Sequence, residues 1–415
     1  MNETSIITNI KELIGIQTLQ PNFNVDLQQN LNCIKKAYLI VENGLIKDFG
    51  EMSSLKLESQ NYDHHINLEN KKSILPVWND SHTHIVFAGT RETEFVDRIN
   101  GLSYEDIAKR GGGILNSANK LEKTPFNDLL ESSSRRLEKV MQMGTGAIEI
   151  KSGYGLTLES ELKMLRVIAS LKEKYNLPIK STFLGAHAFP AKYKQQKSQY
   201  IDLIINEMLP AIASENLADY IDVFCEKNYF SVAEMEKILQ AGNKYNLKPK
   251  VHVNQFNSIG AIQKAIEMGA VSVDHLEVLN EKDIDALKNS STIATLLPSC
   301  SLFINIPYAK GKTLIENKVP FALASDYNPG STPCGNMNLV VSLACINMKI
   351  TPEVAINAAT IMGAKAMEIE NESGSITKGK LASLIVTEDI SSYNFIPYSF
   401  GENNIERVMI KGKWI

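Results

Sequence analysis

Residues 147–187 read AIEIKSGYGLTLESELKMLRVIASLKEKYNLPIKSTFLGAH. The run 147–151 predicts a strand, 158–175 a helix and 179–185 a second strand, with His187 just beyond it. Strand, helix and strand in this order make a parallel pair joined by a right-handed crossover. The alternation continues in both directions. Upstream, a short apolar run ends near Asp80 and a helical pattern covers 126–143. Downstream, helices over 199–213, 232–245, 259–268 and 281–288 lead to strands over 221–225, 249–253, 271–274 and 293–297. A short helix near Leu314 then leads to a strand at 321–325, followed by helical stretches at 339–347 and 352–366. Eight strands, mostly separated by helices, predict an α/β fold closed into a TIM (β/α)8 barrel rather than an open sheet.

The ends of the chain read differently. Residues 37–50 look like two strands joined by Asn43-Gly44, a strong hairpin signal. Residues 381–387 read as a strand, and 405–415 as a hairpin turning near Lys411-Gly412. The expectation is that 1–73 and 375–415 form one small β-sandwich domain beside a barrel domain at 74–374.

Composition narrows the function classes. With 415 residues, 44% of them hydrophobic, the chain has ample material for a large core. A net charge of −4 gives no reason to expect a nucleic acid or an acidic membrane as partner. No apolar run approaches the ~20 residues of a spanning helix. Residues 1–17 lack the pattern of a secretory signal, so a soluble, cytoplasmic protein is expected. Cys33, Cys225, Cys300, Cys334 and Cys345 are scattered without a Cys-x-x-Cys pair and read as free thiols in a reducing compartment.

The histidines carry the functional signal. His64 and His65 precede the barrel in a polar stretch and read as surface residues. The other five fall at strand ends: His82 and His84 after the first strand, His187 after the third, His252 at the end of the fifth and His275 at the end of the sixth. The carboxyl ends of barrel strands form the active face. In an extended segment, residues two apart point to one side, so His82 and His84 can reach one metal ion. Asp326, after the eighth strand, faces the same rim; alone it would read as a turn residue ahead of Pro329-Gly330. Three neutral nitrogens and one carboxylate suit Zn²⁺, and imidazole sites also accept iron. A metal ion lowers the pKa of a bound water towards ~7, and a carboxylate beside it can take the proton. That is hydrolytic chemistry.

Several segments resemble a known family. They are residues 80–91 (DSHTHIVFAGTR), 111–114 (GGGI), 151–156 (KSGYGL), 183–187 (FLGAH), 222–226 (DVFCE), 274–277 (DHLE) and 321–330 (FALASDYNPG). Together they are similar to the amidohydrolase superfamily, and within it to the imidazolonepropionases, from about residue 43 to the end. The resemblance implies one metal ion, zinc or iron, held by His82, His84, His252 and Asp326. It implies a homodimer and a small substrate bearing a carboxylate, 4-imidazolone-5-propanoate, whose cyclic amide bond is hydrolysed to N-formimidoyl-L-glutamate in histidine degradation. It also implies substrate contacts from Arg91, Tyr104, Tyr154, His187, His275 and Asn328. Arg91 can grip a carboxylate through a bidentate fork. Tyr104 and Tyr154 offer a flat face and a hydroxyl. Asp326 and His275 are the expected proton-handling groups.

Two departures stand out. The usual Pro-Gly-Phe/Leu-Val lead-in to the first strand is Pro76-Val77-Trp78-Asn79 here, which predicts only local packing changes. Some members carry a glutamate three residues after the fifth-strand histidine, where this chain has Gln255. Glutamine donates and accepts hydrogen bonds but does not shuttle protons, so Gln255 is expected to position rather than titrate. Lys151 ends the second strand. On its own it reads as one half of a buried structural salt bridge. Some binuclear relatives carry a carboxylated lysine bridging two metals, but the mononuclear resemblance argues against that, and no catalytic role is assigned to Lys151. The glycines at 111–113 would permit loop motion. Other readings are a cyclic-amidine deaminase using the same metal site and a non-catalytic scaffold on this fold. The carboxylate anchor argues against the first and the complete donor set against the second.

Overall fold

The computed structural model describes residues 3–17, 28, 30–56, 62–102, 106–107, 110 and 112–415. The leading segment carries β1 (Thr4–Ile14), β2 (Cys33–Glu42), β3 (Leu45–Glu51), β4 (His64–Asn67) and β5 (Ile74–Pro76). The middle carries β6 (Trp78–Asp80), β7 (Thr145–Lys151), β8 (Ile179–Ala186), β9 (Tyr220–Cys225), β10 (Lys248–Val253), β11 (Ser272–His275), β12 (Ile293–Leu296) and β13 (Phe321–Leu323). The trailing segment carries β14 (Leu384–Thr387), β15 (Ile405–Ile410) and β16 (Lys413–Trp414).

Strands β6 to β13 pair in parallel, each with its sequence neighbours. The seam between first and last closes through a parallel bridge from Thr83 to Tyr327. Within each strand the two faces differ. Ile148, Ile150, Ile221, Val223, Val251 and Val253 join the main apolar cluster with the surrounding helices. The alternate positions, Glu149, Lys151, Asp222, Lys250 and His252, meet one another inside the barrel. Period-two side-chain alternation therefore separates an apolar outer coat from a polar, buried interior.

Helix starts are set by side-chain caps. Thr157 accepts from Ser160 N ahead of the helix Leu158–Lys174. Ser231 and Asn280 form capping boxes for Val232–Asn243 and Glu281–Lys288. Such caps are worth about 1 kcal/mol each and fix where the chain leaves its loop. Two expected helices are interrupted. The stretch at 199–213 widens to a π turn at Ile204–Met208, just ahead of Pro210, which has no N–H to give the preceding turn. The stretch at 352–366 breaks at Thr360 (φ −114°, ψ −90°), whose carbonyl accepts from Asn79 Nδ2 at 3.1 Å.

The terminal strands form one sheet in the order β16-β15-β14-β5-β1-β2-β3, with β4 beside β1. It folds over on itself, since Ile46 N donates to Lys380 O and Ala382 N to Gly44 O, and its inner side chains make a separate core. Gly44 and Gly412 touch so closely that a Cβ on Gly44 would lie 2.7 Å from Lys411 O. His64 and His65 lie exposed on β4. The expected division at 73/74 falls at the start of β5, which hydrogen-bonds into this terminal sheet. Among the described residues no helix is long and apolar enough to cross a membrane.

Candidate active site

The segment carrying His82 and His84 is pinned on both sides. Asp326 N donates to His82 O, His84 N to Tyr327 O and Lys151 N to Thr83 O. Thr83 Oγ1 donates to Glu149 O at 2.6 Å. Thr83 thus faces the wall, and the two histidines face the interior.

Four groups converge there. His84 Nε2 lies 3.3 Å from His82 Nε2. Asp326 Oδ1 lies 3.5 Å from His82 Nε2 and 3.6 Å from His84 Nε2. One nitrogen each from His82, His84 and His252 lies within 4.8 Å of the others. Asp274 Oδ2 meets His82 Nδ1 at 2.7 Å, and Asp222 Oδ2 meets His252 Nδ1 at 2.9 Å. Carboxylates on Nδ1 fix the tautomer and leave Nε2 as a lone-pair donor. Burial first holds both His82 and His84 well below the ordinary imidazole pKa, followed for His82 by the Lys151 charge and then neighbouring imidazoles, and for His84 by His252 and His187 and then Lys151. His252 is likewise held low, by burial, His275 and Lys151. Neutral imidazoles crowded around a carboxylate are the donor set of a metal centre, and these residues fit one.

Beneath this cluster lies a buried ionic lattice. Lys151 Nζ contacts Glu149 Oε1 (2.6 Å), Asp222 Oδ2 (2.9 Å) and Asp274 Oδ2 (3.5 Å). Burial would lower its pKa, but the three carboxylates outweigh that and keep it charged. Lys250 adds contacts to Glu149 and to the carbonyls of Ser81 and Ala366. Lys151 therefore holds the two aspartates that orient His82 and His252. Sequence reasoning missed Asp222 and Asp274, although both lie in quoted motifs.

The pocket above is lined by His84, Arg91, Tyr154, His187, Gln255, His275, Asp326 and Asn328, together with Ile114, Phe224, His252 and Ser331. Arg91 is buried. Its Nε donates to Ser117 Oγ at 2.9 Å, its guanidinium stands 5.5 Å from the Tyr154 ring centre, and its Nη2 has no partner among the described residues. His187 stacks near His84 (5.4 Å) and meets Gly153 O at 3.0 Å through Nδ1, while burial pushes its pKa down to about 4. Asn328 Nδ2 donates to Asp326 O and Ser331 Oγ, and its Oδ1 accepts from Gly330 N and Ser331 N. It organises the 326–331 turn as well as lining the pocket. Gln255 Nε2 donates to Cys300 Sγ at 3.4 Å. Tyr104 and Gly111 lie outside the described residues.

Asp326 Oδ2 receives Ser331 Oγ (3.2 Å) and Thr332 Oγ1 (3.3 Å). Burial raises its pKa, opposed by His275 and by hydrogen bonds. His275 meets Glu277 Oε1 at 3.4 Å through Nδ1. Burial alone would lower its pKa; the Glu277 charge and hydrogen bond, with Asp326 and Asp274, outweigh that and raise it. Both residues sit at positive φ, 55° for Asp326 and 91° for His275. Such backbone costs about 1–3 kcal/mol per residue and persists where the surroundings over-determine it. Ser117 carries no sequence signal of its own; Glu277 lies in the quoted motif 274–277 without an assigned role, and Cys300 reads from the sequence only as a free thiol.

Residues 74–415 match the profile of the amidohydrolase family. The chain is 58% identical to the imidazolonepropionase of Flavobacterium johnsoniae and 55% identical to that of Christiangramia forsetii, in each case over 99% of this chain and all of the relative. It is 39% identical to the imidazolonepropionase of Clostridium tetani over 98% of this chain and 97% of the relative. Its fold is similar to that of a guanine deaminase from C. acetobutylicum (TM-score 0.72, 15% identity, 100% of both chains). A Xanthomonas campestris adenosine deaminase with bound zinc is also similar (TM-score 0.71, 13% identity, 99% of this chain and 92% of that one).

Proposed function

Because the chain belongs to the amidohydrolase family, and within it to the imidazolonepropionases, we infer that it hydrolyses the cyclic amide bond of 4-imidazolone-5-propanoate to N-formimidoyl-L-glutamate in histidine degradation. Among the site's own features, the one that carries this reading is Arg91 Nη2, a buried guanidinium nitrogen with no partner among the described residues, beside the imidazole cluster. A buried, unmatched cationic donor is costly and suits an incoming carboxylate.

His82, His84, His252 and Asp326 would hold one metal ion; this donor set suits zinc and accepts iron. When bound, the ion supplies Lewis-acid polarisation and a water of lowered pKa. Arg91 binds the propionate. Tyr154 and His187 flank the ring and orient it. Asp326 takes the proton of the attacking water on Oδ2, the oxygen that meets Ser331 and Thr332; Oδ1 is the one 3.5 and 3.6 Å from His82 and His84 Nε2. It then returns that proton to the ring nitrogen released when the C–N bond breaks. His275, its proton retained by Glu277, donates to the oxygen on which charge develops. Gln255 positions and does not titrate. The reading includes a cytoplasmic setting, which five free thiols suit, and a homodimer, for which sedimentation equilibrium is the test.

The test is a coupled assay. Urocanase generates the unstable imidazolone in place, and its loss is followed with and without this protein, before and after chelation. The expected result is metal-dependent acceleration with formimidoyl-glutamate as product. Turnover of neutral nucleobases in its place would overturn the reading.

A further inference from the structure

Beside the histidine–aspartate cluster is a second group of candidate metal-binding side chains, of which the proposed reaction uses His275 with Glu277 behind it and leaves Cys300 without a role. His275, Glu277 and Cys300 each offer a donor atom, all within 4.8 Å of one another. All three are buried, at 3%, 3% and 0% exposure. The group is unfinished as a protein interior. Glu277 Oε1 reaches His275 Nδ1 at 3.4 Å and Ser301 Oγ at 3.3 Å, both long for hydrogen bonds to a carboxylate. Glu277 Oε2 is buried with no partner among the described residues, and no lysine or arginine among them pairs with it. A buried carboxylate oxygen left unmatched is destabilising, and a cation on that side would satisfy it.

We propose that His275, Glu277 and Cys300 form a second cation site, selective for thiophilic divalent ions of the zinc class, adjoining the centre built from His82, His84, His252 and Asp326. The donors are one sulfur, one nitrogen and one carboxylate oxygen, the mixture zinc favours over magnesium or calcium. Ligand atoms on one tetrahedral zinc lie roughly 3.5 Å apart, so side-chain rotation of about 1 Å brings this group into range. A solvent molecule completes the fourth position. Sulfur ligands coordinate as thiolates, so as the cation binds, the Cys300 proton is released to solvent and the bound charge offsets the burial that otherwise favours the thiol. The Gln255 amide, which donates to Cys300 Sγ, then hydrogen-bonds a coordinated sulfur. His275 lines the substrate pocket as well, so one ring joins the two sites.

Sulfur separates the two sites experimentally, because none of the four groups of the first is a cysteine. The metal-loaded protein is titrated with Co²⁺, bound metal per chain is counted after dialysis, and the near-ultraviolet spectrum is recorded. The expected result is one extra cobalt per chain and a thiolate-to-cobalt charge-transfer band that saturates with it. Cys300→Ser abolishes the band. Glu277→Gln keeps the thiol and the side chain's size but weakens cobalt binding by about tenfold or more. Circular dichroism checks both folds, and Glu277→Gln carries the test alone if the cysteine variant fails to fold. Absence of extra cobalt in the wild type, a band that persists in Cys300→Ser, or unchanged affinity in a folded Glu277→Gln would overturn the proposal. The readout is binding, so it stands or falls separately from the imidazolone reaction.

Discussion

Asp219 and Asp326 stand at opposite ends of one barrel and are treated in opposite ways. Asp219 lies just ahead of β9, at the amino end. Its Oδ2 accepts from Lys172 Nζ (2.8 Å), Ser181 N (2.8 Å) and Ser181 Oγ (3.1 Å). Burial would raise its pKa, but the Lys172 charge and these bonds win, and it is lowered. Asp326, at the carboxyl end, also accepts hydrogen bonds, but its ion-pair contacts among the described residues are histidines alone, and burial raises its pKa. The amino end carries its own countercharge. The carboxyl end gathers neutral imidazoles round a carboxylate, a donor set that suits an incoming cation.

The largest way to break that contrast is Asp326→Ala. It removes the only carboxylate in the donor set, and kcat should fall by about 10³-fold or more while the fold survives. Rapid-quench assay with metal content measured in parallel checks this; near-normal kcat with metal bound would remove Asp326 from proton transfer. Next is Lys151→Met. It takes the countercharge from beneath the imidazoles, strands Asp222 and weakens the pairing of Asp274, while Glu149 keeps Lys250, so unfolding free energy should drop by about 3–5 kcal/mol. Urea denaturation measures it, and metal affinity should fall with it as His82 and His252 lose their orientation. A change under 1 kcal/mol would mean that the lattice is not what holds the rim.

The sequence made much of this legible, and the physical reasons are specific. Each strand–helix pair has its own local pattern, so the barrel could be read without any long-range contact. His82-Thr83-His84 was readable because its spacing matches the side-chain period of an extended chain. Asp222, Asp274 and Lys151 were harder. A charged residue within an apolar strand has meaning only once the barrel brings three strands' interiors together. A signal did exist: Glu149 with Lys151, and Lys250 with His252, stand two apart and so share the inward face. Ser117 reaches Arg91 and Cys300 reaches Gln255 only through tertiary closure, whereas Glu277 stands two residues from His275. The interruptions at Ile204–Met208 and Thr360 follow from Pro210 and from Asn79, the second of which lies 281 residues away.

Arg91→Ala probes the pocket rather than the centre. Losing a charge-assisted contact to the substrate carboxylate, worth about 1.5–3 kcal/mol, should raise KM roughly 10–100-fold and leave kcat within a few-fold. Steady-state kinetics separates the two, and an equal fall in kcat would shift Arg91 from binding to transition-state stabilisation. The smallest effect is expected at the finished end. A lowered aspartate pKa contributes stability that is full above the unfolded value of about 4 and is lost as pH falls through the folded value. Asp219→Asn should therefore cost about 1 kcal/mol at neutral pH and remove that part of the acid sensitivity. Thermal melts of both proteins from neutral to acid pH test it: the two curves should converge as pH drops, and a constant gap would assign the effect to packing.

The terminal sheet has a consequence for how the chain is made. Ser73 N donates to Thr387 Oγ1 across 314 residues, and β5 lies between β1 and β14. During synthesis at about 5–20 residues per second, the leading strands wait roughly 15–60 s for the partner that completes their sheet. The barrel units can settle one after another in that interval, while an apolar sheet edge stays open to whatever else is nearby. The nascent chain is thus most in need of a chaperone at the end that emerges first and closes last.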